Sequence, residues 1–299
     1  MVVAWYSQWQ TGMSCALNAV PELTRAHVQQ HIAAATRCLQ QELAKTIDFD
    51  NTHDRVWRSD PAFFRFPKPA EFEPGSVDLS PSWFQQRKDV CNCFICFLSQ
   101  DLHHLPLIQR LVDKLSPSQT LSKEGASAGL SCIEDTEHDI NKLMQLIAPQ
   151  LFQAGMAAIG TTKQLHSDHP NIGLWASAFS AIGVIVNRIT PAHRDAGGWK
   201  ACYDLLVAAG TYKMAYLDLP DLGARIEYNP GTAVAITGKI LRHAVVDWKG
   251  GERICYAHYM RNNVHQRLLV EQTGWVKEQY FTHWMSRGFL KRRYNAMLK

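Results

Sequence analysis

From Phe179 onward the chain breaks into short runs of β-branched and aromatic residues: Ala181 to Ile189, Tyr212 to Leu219, Ala224 to Tyr228, Thr232 to Ile236, Ile240 to Val246 and Ile254 to Tyr259. Turn signals separate them at Gly197-Gly198, Pro220, Asn229-Pro230-Gly231, Gly238 and Gly250-Gly251. A parallel sheet needs a crossover of about a dozen or more residues between successive strands, and most of these gaps are far shorter. The pattern predicts an antiparallel sandwich or jelly roll.

The preceding half reads differently. Pro21 to Leu43 places Leu23, Val28, Ile32, Ala35 and Leu39 at near-helical spacing, which predicts a support helix, and Leu105 to Leu115 and Ile140 to Ile159 read the same way. Asp50 to Pro81 mixes prolines with Trp57, Phe63, Phe64, Phe66 and Phe72 without a period, and is expected as an extended segment pinned by its rings. Ser116 to His138, rich in Ser, Thr, Gly and acids, is expected as a mobile loop. The organisation expected is therefore α+β: a mainly helical region over 1–170 with that loop near 116–138, and a β core over 171–299 with a basic C-terminal tail.

Composition narrows the class. With 46% apolar and 19% charged residues in 299, the chain has a core of globular proportions. No run approaches the roughly 18 apolar residues of a spanning helix, so no membrane partner is expected. Eight cysteines without regular spacing, several inside apolar runs, read as thiols of a reducing compartment. Cys91, Cys93 and Cys96, with His103 and His104 behind them, offer zinc ligands, but Phe94, Ile95, Phe97 and Leu98 favour cysteines packed as small hydrophobes. The net charge of +4 is local: from Lys277 to Lys299 six basic residues face one acid, interleaved with Tyr280, Phe281, Trp284, Phe289 and Tyr294. Such a tail either lies along a polyanion or forms a helix with a solvated basic face.

Chemistry concentrates in Asn187-Arg188-Ile189-Thr190-Pro191-Ala192-His193-Arg194-Asp195. Alternate residues of a strand point the same way, so His193 and Asp195 can face one ion. His243 supplies a second imidazole after the Gly238 turn, and two His with one carboxylate is the facial arrangement of non-haem Fe(II) oxygenases. Arg253 opens the last strand, where a buried guanidinium can hold a carboxylate bidentately. His166-Ser167-Asp168 repeats His-x-Asp, but in a polar stretch with no strand before it, and is read as a solvated loop.

From Ser177 to Val264 these motifs, together with Tyr203-Asp204-Leu205-Leu206, Asn229-Pro230-Gly231-Thr232, Gly238-Lys239-Ile240-Leu241-Arg242-His243 and Arg253-Ile254-Cys255-Tyr256-Ala257, resemble the TET/JBP branch of 2-oxoglutarate and Fe(II)-dependent dioxygenases, the fungal members above all. The resemblance implies a double-stranded β-helix (jelly-roll) core flanked by helices, Fe(II) and 2-oxoglutarate as cofactors, and oxidation of the methyl group of a base flipped out of double-stranded DNA. The expected base is 5-methylcytosine first and N6-methyladenine second.

Carried over residue by residue, the resemblance makes His193, Asp195 and His243 the iron ligands. Arg253 becomes the partner of the distal 2-oxoglutarate carboxylate and Arg188 lies near the C1 carboxylate. Tyr259 stacks on the flipped base and Arg261 reaches its edge. The chain departs from the family at Cys255, where many such enzymes place a serine, and at Gly198, where relatives carry an acid or amide and where a glycine leaves room for a purine. A nuclear monomer is the expectation. The alternatives are an oxygenase of alkylated RNA or of a small molecule, and a DNA-binding module without catalysis.

Overall fold

The computed structural model describes residues 3–5, 26–49, 57–83 and 115–271. The basic tail beyond Lys277, the Cys91, Cys93 and Cys96 group and most of Leu105 to Leu115 lie outside the described residues.

Two antiparallel sheets face each other. The large sheet runs in the order β1 (Val3–Trp5), β8 (Ala233–Ile236), β5 (Asp204–Gly210), β10 (Arg253–Tyr259), β3 (Ala181–Val186) and β2 (Gly75–Leu79). The small sheet runs β4 (Thr190–His193), β9 (His243–Val245), β6 (Tyr216–Leu219) and β7 (Ala224–Glu227). This is the jelly-roll core expected from the spacing. Two strands contributed from before residue 170, β1 and β2, close the edges of the large sheet, so the early chain builds part of the β core.

The large sheet is apolar on both faces, because period-two alternation divides its residues between two cores. Ile182, Val184, Leu205, Val207, Ile254 and Tyr256 pack against helices, while Ala208, Val234, Ile236 and Cys255 pack inward with Leu217, Tyr228, Val245 and Trp248 of the small-sheet side. Four helices cover the outer face: α1 (Ala26–Cys38), α2 (Gln40–Leu43), α3 (Glu124–Ile147) and α4 (Pro149–Leu165). The short α5 (Pro170–Gly173) and α6 (Asn262–Arg267) flank the core.

Two expectations require correction. The segment 116–138 is not a mobile loop: α3 begins at Glu124 and runs to Ile147. Ala126, Leu130, Ile133 and Ile140 form a buried stripe at helical spacing, and the acids Glu134 and Asp135 lie on the solvent face. The polar composition described that outer face, not a loop. Nor is Ile140 to Ile159 one helix, since Pro149 lacks the amide hydrogen needed to continue α3 and instead opens α4. Glu137 on α3 holds a buried contact to the last strand, with Oε1 2.8 Å from His258 Nε2. No helix among the described residues is long and apolar enough to cross a membrane.

Candidate active site

His193 ends β4 and His243 opens β9, and the two are register partners across the small sheet. Their rings stand 4.3 Å apart between centroids. Asp195, two residues past the strand, turns back toward both: Oδ1 is 3.4 Å from His193 Nε2 and Oδ2 is 3.5 Å from His243 Nε2. One donor atom from each residue falls within 4.8 Å of the others.

The second nitrogen of each imidazole is occupied. His193 Nδ1 lies 2.9 Å from the Pro191 carbonyl and His243 Nδ1 lies 3.1 Å from the Leu241 carbonyl. A carbonyl only accepts, so Nδ1 carries the proton and the Nε2 lone pairs point toward Asp195, as a metal-binding histidine requires. Burial lowers the pKa of His243 and favours its neutral form. Burial pushes the Asp195 carboxyl up, but the His193 bond and the neighbouring His243, His193 and Arg58 outweigh it and hold the group below the usual range. A carboxylate and two neutral imidazoles are the donor set of a divalent iron, and the residues fit it.

The backbone makes this approach possible. The Asp195 amide donates to the Gly238 carbonyl at 2.9 Å, and a Cβ on Gly238 would stand 2.5 Å from both Asp195 Oδ2 and Asp204 Oδ2. Asp204 accepts the Gly238 amide at 3.1 Å; burial, then the charge on Asp195, raises its pKa well above the carboxylate range.

Two cations lie inside the same roll. Arg253 is buried under Tyr228 and Trp248, whose ring centroids are 5.7 and 5.8 Å from its guanidinium carbon, and donates to the Arg188 carbonyl at 3.1 Å. Arg188 donates to Ser76 Oγ at 3.0 Å. Among the described residues, Nε of each is buried without a hydrogen-bond partner and neither guanidinium has a carboxylate within 4.0 Å. Burial, with Arg58 and Arg253 adding to it, lowers Arg188 to about 10, so it remains charged at neutral pH. Two buried guanidiniums without a directly paired carboxylate favour a bound anion, and the two carboxylates of 2-oxoglutarate fit that demand. Asn187 aims the pair: its φ of 53° turns the chain between β3 and β4, and its Oδ1 accepts the Arg253 amide at 2.8 Å.

Tyr259 and Arg261 sit at the opposite end of β10 from Arg253. The Tyr259 hydroxyl donates to Asp78 Oδ1 at 3.0 Å, and Arg261 lies over Trp83 at 4.4 Å and over the Tyr259 ring at 5.4 Å. Asp78 is open to solvent at the edge of the sheet, and desolvation by the protein around it raises its pKa.

Several neighbours were invisible in the sequence. Trp57 packs edge-on against His193 at 4.9 Å, and Arg58 lies over Trp57 and within 3.5 Å of Asp195. The Cys255 sulfur and the Tyr228 hydroxyl lie 3.4 Å apart, within hydrogen-bond distance. Space beside Gly198 is not empty, since a Cβ there would meet Lys239 Cβ at 3.3 Å. His166 and Asp168 lie in the turn after α4 and do not join a metal-capable group among the described residues.

Residues 130–262 match the family model Tet_JBP, described as the oxygenase domain of the 2OGFeDO superfamily. Among solved structures, NgTET1 in complex with 5mC DNA is similar over 87% of this chain and 98% of its own, at 13% identity and a TM-score of 0.42. A viral collagen prolyl hydroxylase from Paramecium Bursaria Chlorella virus-1 is similar over 28% of this chain and 56% of its own, at 22% identity and a TM-score of 0.23. No curated protein matches. Residues 130–262 are accordingly an oxygenase domain of the TET/JBP family, in the superfamily whose cofactors are Fe(II) and 2-oxoglutarate.

Proposed function

We propose that the protein oxidises the methyl group of a methylated base in double-stranded DNA, 5-methylcytosine first and N6-methyladenine second, and that it does so in the nucleus. The observation that carries this reading is one metal-capable His193-Asp195-His243 group in the same β roll as two buried guanidiniums that lack carboxylate partners. Substrate class is supported by the TET/JBP match and by an aromatic and a cationic side chain, Tyr259 and Arg261, at the far end of the same strand.

In this reading Fe(II) with 2-oxoglutarate supplies the oxidising power, coupling activation of O2 to decarboxylation of the cosubstrate to succinate. His193, Asp195 and His243 would hold the ion through two imidazole Nε2 atoms and one carboxylate. Arg253 anchors the distal carboxylate of 2-oxoglutarate, and Arg188 neutralises the carboxylate end nearer the metal. Both histidines keep the proton on Nδ1 and donate it to the Pro191 and Leu241 carbonyls, which fixes ring orientation and leaves each Nε2 free to bind.

A base stacked in a duplex cannot reach so enclosed a group, so it must be extruded at a cost of a few kcal/mol. Stacking on Tyr259, worth about 1 to 3 kcal/mol in comparable contacts, offsets part of that cost. Incubating methylated duplexes with protein, Fe(II) and 2-oxoglutarate tests the reading. Hydroxymethylcytosine or unmethylated adenine is the expected product, and succinate release with every base unchanged would overturn the choice of DNA.

A further inference from the structure

Arg194 lies between the two ligands His193 and Asp195, and Arg242 immediately precedes the third, His243. Each stands one residue outside a strand end, and both are exposed where the neighbouring His193 and His243 are not. There they meet one carboxylate. Asp221, in the 3-10 turn Pro220–Leu222 after β6, accepts the Arg242 amide at 2.8 Å and Arg242 Nε at 2.7 Å, and it accepts the Arg194 guanidinium at 3.0 Å. Arg194 Nε also donates to the Ile240 carbonyl at 2.7 Å, tying the ligand turn to the segment that delivers His243.

The strands need such a tie. β4 and β9 pair at Thr190↔Val245 and His193↔His243 with an irregular register between them, and β9 meets β6 through the single pair Asp218↔Ala244. Apart from the His193↔His243 pair and the Asp195 amide bond to Gly238, few backbone bonds tie the three ligands together. Charge-assisted bonds are shorter and stronger than neutral ones, and here three converge on one group.

We propose that Asp221 is a positioning residue for the metal: by holding Arg194 and Arg242 together it fixes the spacing of the three ligands and thereby sets metal affinity. The inference rests on His193, Asp195 and His243 being the ligands. The Arg242 amide and side chain, with Arg194, hold the Asp221 carboxyl down to about 2, so the clamp stays charged across the neutral range.

Mn(II) titration of the full chain, followed by calorimetry without cosubstrate, tests this. Arg194 and Arg242 are half exposed and stand beside the ligands, so Asp221→Ala should raise the Mn(II) Kd by about 5-fold, the upper end for an exposed ion pair. Asp221→Asn, which keeps one acceptor oxygen, should fall between it and wild type and remains informative if the alanine variant does not fold. Asp218→Asn removes the same charge from the adjoining strand, where Asp218 pairs with Arg225, and should leave Kd nearly unchanged. Arg194→Ala and Asp221→Ala should be non-additive in a double-mutant cycle. An unchanged Kd in both Asp221 variants, with a lowered unfolding midpoint, would reduce Asp221 to a hairpin staple and overturn the proposal. Wild-type affinity in a His193→Ala control would instead remove the ligand assignment, and the clamp with it.

Discussion

Tyr259 donates its hydroxyl hydrogen to Asp78 Oδ1 across 3.0 Å, from β10 to the edge strand β2, passing over the intervening strand β3. Gly183 of β3 is the register partner of both Asp78 and Ala257, and a Cβ there would lie only 3.2 Å from Asp78 Oδ1. The glycine thus gives Asp78 its place, and Asp78 fixes the direction of the ring.

If that ring stacks on the extruded base, Tyr259→Ala should slow methyl oxidation much more than it slows the decarboxylation of 2-oxoglutarate. Tyr259→Phe keeps the stacking surface and loses only the bond to Asp78, so its effect should be smaller. The ratio of oxidised base to succinate, measured for both variants, checks this. Equal ratios in wild type and Tyr259→Ala would place the base elsewhere.

His193→Ala, Asp195→Ala and His243→Ala should each abolish succinate formation with the fold intact, because each removes one of three protein donors. His166→Ala should leave turnover near wild type, since the turn after α4 brings no second and third ligand to His166. Succinate assays beside circular dichroism distinguish the pairs, and equal loss from His166→Ala and His193→Ala would mean that the wrong His-x-Asp had been chosen.

Arg253→Met should raise the apparent 2-oxoglutarate KM by about two orders of magnitude or more, as expected when one partner of a buried ion pair worth about 3 to 5 kcal/mol is removed. Duplex binding should hardly change. Arg188→Met should have a similar but smaller effect, because Arg188 also holds Ser76 at 3.0 Å. An unchanged KM for Arg253→Met would refute its role.

His265 gives the fold an acid sensitivity. It is fully buried, neither ring nitrogen has a hydrogen-bond partner among the described residues, and burial lowers it from 6.5 to about 4. The unfolded chain therefore takes up the proton first as pH falls. Stability is complete above about 6.5 and declines toward about 4, by roughly 3 kcal/mol over the whole interval. His265→Leu should flatten this portion of the urea midpoint against pH, and an unaltered slope would show that another group carries it.

The sequence made the chemistry legible where it was local. His193-x-Asp195, the Gly238 turn before His243 and the arginine opening the last strand lie in one roll, and strand alternation and turn residues act over a few positions. What escaped notice depends on contacts distant in the chain. Asp78 and Tyr259 are 181 residues apart, and Arg65 reaches Trp248 across 183; no spacing rule anticipates either. β5 lies outside the expected runs because Asp204 to Gly210 carries alanine and leucine in place of β-branched residues, and the run expected from Ala181 to Ile189 divides at Asn187 into β3 and the approach to β4. Segment 116–138 was misread because its outer face dominated its composition, although Ala126, Leu130 and Ile133 already carried the helical period.

The most direct measurement is mass spectrometry of nucleosides digested from duplexes bearing 5-methylcytosine or N6-methyladenine after incubation with the protein, Fe(II) and 2-oxoglutarate, with succinate quantified in the same samples. The account predicts hydroxymethylcytosine and its further oxidised forms from the first duplex, unmethylated adenine with released formaldehyde from the second, and no product of either kind from the His193→Ala protein. Succinate formed at the wild-type rate while both methylated bases remain intact would contradict it.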